Sequence, residues 1–125
     1  MKINNELMQI RYLDQEGQEN LRIDRKSIGA KSYFTPNNKL QNKSDRYYFK
    51  DVKKLSRGEV WISKMDLNME DGKIVRPIVP TIRISTPIYI SGNFHGTIII
   101  NVFIDKLIKK IVNSDFFHIS IVDKE

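Results

Sequence analysis

The chain has 125 residues, with 21 Lys and Arg against 15 Asp and Glu, a formal net charge of +6. That length predicts one domain, and a hydrophobic fraction of 40% with 29% charged residues is ordinary for a chain that packs a core. Cysteine is absent and there are 2 histidines, which excludes a disulfide framework, thiolate zinc ligands, a cysteine nucleophile and a multi-histidine metal centre.

Taken in chain order, residues 7–14, LMQIRYLD, alternate loosely between apolar and polar side chains, as a half-buried strand does. A turn at Asp14-Gln15-Glu16-Gly17 follows, and alternation resumes from Glu19 to Arg25 through Leu21 and Ile23. The two runs predict a β-hairpin in which Gly17 takes a positive φ. Residues 26–42 are polar, hold Gly29, Pro36 and Asn37-Asn38, and predict a loop or short helical turns. Ser44 or Asp45 is placed to cap a helix running to about Leu55, with Tyr48, Val52 and Leu55 at helical spacing and Gly58 ending it. Glu59 to Ser63 predicts a short strand carrying Trp61.

Residues 64–79, broken by Gly72 and Pro77, predict a long connection. Thr81 to Ile90 is a strand in which Ile82, Ile84, Thr86, Ile88 and Ile90 share one parity and face one side. Ser91-Gly92-Asn93 turns the chain, and Gly96 to Ile104 is the next strand, rich in β-branched residues. Asp105 then caps a helix with Leu107, Ile108, Ile111 and Val112 on its apolar face, and Phe117 to Val122 predicts a further strand. This order predicts an α+β fold, an antiparallel sheet of about five strands with helices and a long loop over one face. It resembles the PAS-like arrangement, which implies a pocket between the sheet and that layer.

The basic residues are spread along the chain, the densest groups being Lys53-Lys54 with Arg57 and Lys106 with Lys109-Lys110. Each group lies on a predicted helix whose other face is apolar, so its plain reading is a solvated face. No helix-turn-helix, zinc-finger or RNP pattern accompanies the charge, and no nucleic-acid partner is expected. No apolar run approaches the roughly 20 residues that span a bilayer.

Five segments taken together are specific: QIRYLDQEGQENLRID (9–24), LQNKSDRYYF (40–49), GEVWISKMDLNMEDGKI (58–74), RPIVPTIRISTPIY (76–89) and HGTIIINVF (95–103). In this order they resemble the extracytoplasmic PAS-like sensor domains called Cache or PDC domains, most closely the membrane-distal half of a double-Cache module. The resemblance covers roughly residues 7–112. It implies a sensor domain at 1–112, with the family's long N-terminal helix largely missing, and the truncated start of a following domain at 113–125. It further implies an extracytoplasmic location, a parent receptor held by transmembrane helices, a homodimer in that receptor, and a cytoplasmic histidine kinase, diguanylate cyclase or chemoreceptor output.

The same resemblance points to ligand contacts. In the amino-acid-binding branch an Arg followed by aromatics opens the helix over the pocket, and here Arg46 would clamp a carboxylate while Tyr48 walls off water. The other reading of these residues is a surface arginine and core aromatics. Trp61 follows, then Asp66 and Asn68 at the positions that meet an amino group in that branch; Asx side chains also cap loops. Arg83 and Ser85, with Thr86 beside them, lie on the strand that lines the family's pocket. The parity of Arg83 opposes the isoleucines, so it points to solvent or into the pocket according to which face the helices cover. Tyr89 and Asn101 are further lining candidates, and His95 beside a turn is expected to be exposed.

Counted from Asp66, DLNMEDG fails the EF-hand spacing, because the sixth position is Asp71 and the twelfth is Pro77. No metal site and no cofactor are expected. No phosphate loop, nucleophile elbow or His-Glu-x-x-His motif is present, so no catalytic residue is assigned and no enzyme is expected in this chain. The resulting expectation is a sensor that binds a small carboxylate or amine between the sheet and the connection at 64–79. The alternatives are a protein-interaction or structural module and a basic domain binding an anionic polymer.

Overall fold

The computed structural model of the chain describes residues 6–67, 69–74 and 80–104. The alternation at the start forms the hairpin β1 (Leu7–Asp14) and β2 (Glu19–Arg25), closed by a turn in which Gly17 has φ 81°. A side chain could not replace that glycine, since its Cβ would lie 2.7 Å from the backbone of Ser44. The polar stretch contains a strand that alternation did not announce, β3 (Ser32–Phe34), followed by a single 3-10 turn at Asn37–Lys39.

The helix α1 spans Tyr47–Lys53, shorter than expected, and neither Ser44 nor Asp45 caps it. Arg46 holds the N-cap position with no side-chain cap, while Ser44 donates its amide and hydroxyl to Asn42 Oδ1. A helix of this length is marginal on propensity alone. Its stability comes from Tyr48, Phe49 and Val52, which are buried against the sheet. Lys50 and Lys53 in its last turn favour the negative end of the helix dipole.

The strand around Trp61 is reduced to β4 (Trp61–Ile62), and the long connection holds three short strands, β5 (Asp66–Leu67), β6 (Met69–Glu70) and β7 (Lys73–Ile74). β6 and β7 form their own hairpin around Asp71 and Gly72, both with positive φ, the geometry of a tight primed turn. Two long strands follow, β8 (Pro80–Ile90) and β9 (Asn93–Phe103). The predicted helix after Asp105 and the strand at 117–122 lie outside the described residues.

The main sheet runs β3-β2-β1-β9-β8, with β4 and β5 paired in succession along the outer edge of β8. Every pairing in it is antiparallel. With α1 on one face this is an α+β arrangement. Gly96 in β9 pairs with both β1 and β8 and is pressed by β1: its φ is 138°, and a Cβ there would lie 2.1 Å from the Leu13 carbonyl oxygen.

The register divides the two faces sharply. On one, Ile23, Ile10, Ile100, Ile84 and Ile62 stand in a row across five strands. On the other, under α1, stand Arg22, Arg11, Ile99, Ser85 and Trp61 in one row and Asp24, Gln9, Asn101 and Arg83 in the next. The isoleucines of β8 thus face away from the helix, and the buried parity is Thr81, Arg83, Ser85 and Pro87.

Candidate functional site

The face beneath α1 is polar and buried, an arrangement costly unless its groups find partners. Arg11, 2% exposed, donates to Asn101 Oδ1 at 3.1 Å and to the Tyr48 hydroxyl at 3.3 Å, and pairs with Glu19 at 3.5 Å. Asn101 donates in turn to Gln9 Oε1 at 2.9 Å. The guanidinium carbons of Arg83, Arg11 and Arg46 lie 5.2, 5.4 and 5.6 Å from the centre of the Tyr48 ring. Tyr48 is thus a buried aromatic ringed by three cations.

The structure brings five of the expected contact residues to this region. Arg46 begins α1 and is half-buried, Tyr48 projects under the helix, and Arg83 and Ser85 point inward from β8. Trp61 pairs with Ser85 across β4 and β8, and its ring lies 5.9 Å from Tyr47. Ser85 Oγ shares a 2.7 Å hydrogen bond with Thr97 Oγ1 and donates to the Ile98 carbonyl at 2.9 Å, so it also knits β8 to β9. Asp66 is on β5 opposite Thr81; Asn68 lies outside the described residues. Thr86 belongs to the isoleucine side and donates to the Glu59 carbonyl. Tyr89 donates to the Leu55 carbonyl at 2.6 Å, tying the strand to the end of the helical segment, and His95 is exposed.

The open space lies beside this group, at residues that alternation and resemblance did not single out. A cleft of about 580 Å³ is bounded by β2, the segment from Tyr33 to Gln41 and the β6–β7 hairpin, with Arg22, Asp24, Thr35, Gln41, Glu70 and Asp71 on its walls. A smaller one of about 360 Å³ adjoins it and includes Lys43 and Arg46. The larger cleft is therefore between the sheet and the connection at 64–79, on the face that carries α1.

Its walls are a continuous ion network. Arg22 Nε donates to Asp24 Oδ2 at 2.7 Å, and Arg22 Nη1 reaches Glu70 Oε2 at 3.0 Å and Glu19 Oε2 at 3.5 Å. Lys43 Nζ is 3.6 Å from the same Glu70 oxygen and donates to Gln41 Oε1 at 2.7 Å. Gln41 Nε2 donates to Glu70 Oε2 at 3.0 Å, Gln9 Nε2 to Glu70 Oε1 at 3.2 Å, and Thr35 Oγ1 to Asp24. Burial raises the Glu70 carboxyl, but the charges of Arg22 and Lys43 and the Gln9 hydrogen bond outweigh it, holding it below its ordinary value. Burial likewise lowers the Arg22 guanidinium, and Glu70 and Asp24 more than offset it. Only the β1 part of this network had a signal in the alternation: Gln9 and Arg11 share the parity of buried Leu13, so the buried side of β1 is partly polar.

Among the described residues no group of three or more His, Asp or Glu side chains is placed to hold a metal ion, and no helix is long and apolar enough to cross a membrane.

Comparison with known proteins gives the arrangement a context. The bacterial histidine kinase sensor domain family matches residues 4–124. The extracellular domain of vpHK1S-Z8, designated a histidine kinase, superposes with a TM-score of 0.77 at 30% identity, covering 86% of this chain and 38% of that one. A domain from Vibrio parahaemolyticus, of a protein assigned to the sensory box/GGDEF family, superposes with a TM-score of 0.78 at 29% identity, covering 88% and 41%. The chain thus spans about two-fifths of each of those domains. None of the curated proteins compared with it matches.

Proposed function

Because the chain belongs to the bacterial histidine kinase sensor domain family, we propose that it is the extracytoplasmic ligand-sensing part of a transmembrane receptor and binds a small molecule of carboxylate or amine type. The observation that carries this reading is the polar cleft between β2 and the β6–β7 hairpin, whose walls hold fixed charges of both signs. Such walls orient a small polar ligand by paired hydrogen bonds and ion pairs.

Arg46, Tyr48, Trp61, Asp66, Asn68, Arg83 and Ser85 are the contact residues of this reading, and Arg46 lines the smaller space that adjoins the cleft. A ligand that binds one placement of the hairpin and α1 better than another shifts the population between them, and that shift is the signal passed on. In the whole receptor the domain works as a homodimer, and a cytoplasmic kinase or cyclase domain receives the signal.

The test is a thermal-shift screen of the chain against small carboxylates, amino acids and amines, repeated in Arg46→Ala and Asp66→Ala. A ligand at a hundredfold its dissociation constant adds about 2.7 kcal/mol, several degrees for a domain of this size. A hit in the parent chain that both variants lose supports the reading; unchanged affinity in both variants removes those two residues from the site. A flat screen on a cooperatively melting protein favours a protein-interaction role instead. The row of five isoleucines on the opposite face, with Ile62 at 65% exposure, is the feature that such a role would use.

A further inference from the structure

We propose that Arg22, Lys43, Gln41 and Gln9 form a subsite for a ligand carboxylate, and that Glu70 occupies this subsite from within the chain and must yield it when ligand binds. The inference rests on the reading of the domain as a small-molecule sensor, and it names the ligand class and the residues that receive it.

The geometry around Glu70 is that of a bound carboxylate. Its Oε2 accepts from Arg22 at 3.0 Å and Gln41 at 3.0 Å with Lys43 at 3.6 Å, and its Oε1 accepts from Gln9 at 3.2 Å. These donors come from β1, β2 and the segment before α1, whereas Glu70 comes from the β6–β7 hairpin. The hairpin strands pair with each other and with no other described strand. Glu70 therefore joins the hairpin to the sheet face by side-chain bonds, which a competing carboxylate can replace one for one.

Charge balance points the same way. Among the described residues the linked ion pairs join three cations, Arg11, Arg22 and Lys43, and three carboxylates, Glu19, Asp24 and Glu70. Glu19 and Asp24 belong to the same strand as Arg22, with side chains 0% and 7% exposed. Glu70 is the most exposed of the three carboxylates, at 18%, and it borders the open cleft. Withdrawing it leaves three cations facing two carboxylates, a vacancy that selects an anion over an amine. The cleft has room for the rest of a small ligand, and Lys39 supplies another cation on its lining.

The experiment is calorimetric titration of succinate into the full 125-residue chain, into Glu70→Ala and into Glu70→Ala/Arg22→Gln, with ethanolamine as the cationic control. The expected result is succinate affinity at least tenfold tighter in Glu70→Ala than in the parent chain, lost in the double variant, with no gain for ethanolamine. If Glu70 were only a strut pinning the hairpin, its removal would lower the melting temperature without improving succinate binding, and that outcome overturns the proposal. Should Glu70→Ala not melt cooperatively, Glu70→Gln is titrated in its place with the same criterion, since the amide keeps the side chain's size and removes its charge. A panel hit in the parent chain with no gain in either Glu70 variant rejects this subsite while leaving the sensor reading standing. No succinate binding to any chain rejects this subsite, and a flat panel screen beside it rejects the sensor reading as well.

Discussion

The guanidinium of Arg83 lies 5.2 Å from the ring centre of Tyr48, and the two side chains are 1% and 2% exposed. A cation stacked on an aromatic face gains about 2 kcal/mol when water is excluded, and here Arg11 also donates to the hydroxyl of the same ring. Tyr48 thus supports charge that the buried face would otherwise hold at a cost.

Replacing Tyr48 separates its two contributions. Tyr48→Phe keeps the ring and removes the acceptor for Arg11, and is expected to cost about 1–2 kcal/mol. Tyr48→Leu removes the ring electrostatics as well and is expected to cost at least about 1 kcal/mol more. Urea unfolding of both variants checks this; equal losses would mean that the stacked guanidiniums add nothing beyond the hydrogen bond.

Acid sensitivity follows from Glu70. Its carboxyl is held below the ordinary value of 4.5 in the folded chain, so its ion pairs contribute fully above that value and are lost as pH falls through the lower folded value. The melting-temperature difference between the parent chain and Glu70→Gln is therefore expected to be constant above about pH 5 and to narrow on the acid side of about pH 4.5. A difference that instead narrows between pH 6 and 8 would assign the effect to another group.

Gly96→Ala tests the centre of the sheet. The added Cβ would meet the Leu13 carbonyl oxygen at 2.1 Å, in a backbone conformation with φ 138° that L side chains rarely adopt. A loss of about 2 kcal/mol or more is expected, seen as a fall of several degrees in the melting midpoint. Gly72→Ala is a useful companion: φ is also positive, but no atom lies within 4 Å of the new Cβ, so only the conformational cost, about 1 kcal/mol, remains.

The Arg46→Ala and Asp66→Ala pair carries the site prediction. Arg46 is half-buried and lies against the Tyr47 and Tyr48 rings, so its loss is expected to cost about 1 kcal/mol of stability while abolishing ligand binding. Paired thermal melts and titrations with any ligand found by the screen check this. Retained binding in Arg46→Ala would leave its guanidinium as packing for Tyr47 and Tyr48.

The elements that the sequence announced are those with a strong local period. The β1–β2 hairpin, the helix near Tyr48 and the two long strands β8 and β9 were legible because alternation or helical spacing persisted over seven residues or more. β3 carried no such signal, since Ser32, Tyr33 and Phe34 are all exposed. The β6–β7 hairpin showed its turn residues, Asp71-Gly72, but its strands are two residues long and have no period to read.

The polar face was harder. Alternation shows that the two sides of β8 differ, and ordinarily assigns the apolar side inward. Here the isoleucines go outward and Thr81, Arg83 and Ser85 inward, where hydrogen bonds and aromatic rings from distant segments meet many of the buried polar groups. Glu70 illustrates the limit: its partner Gln9 lies 61 residues away, and no local pattern ties the two together.

The position of β1 between β2 and β9 sets how the chain must assemble. Arg11 and Asn101, joined by a hydrogen bond, are separated by 90 residues, so β1 waits for β9 before its second edge is paired. Closing so long a loop comes before any reward from the contacts it allows, which places folding on the slow side for a domain of this size, on the order of milliseconds to seconds. Throughout that interval the unpaired edge of β1 and the side chain of Ile10 stay open to other chains, making the interval before β9 arrives the one in which self-association competes with folding.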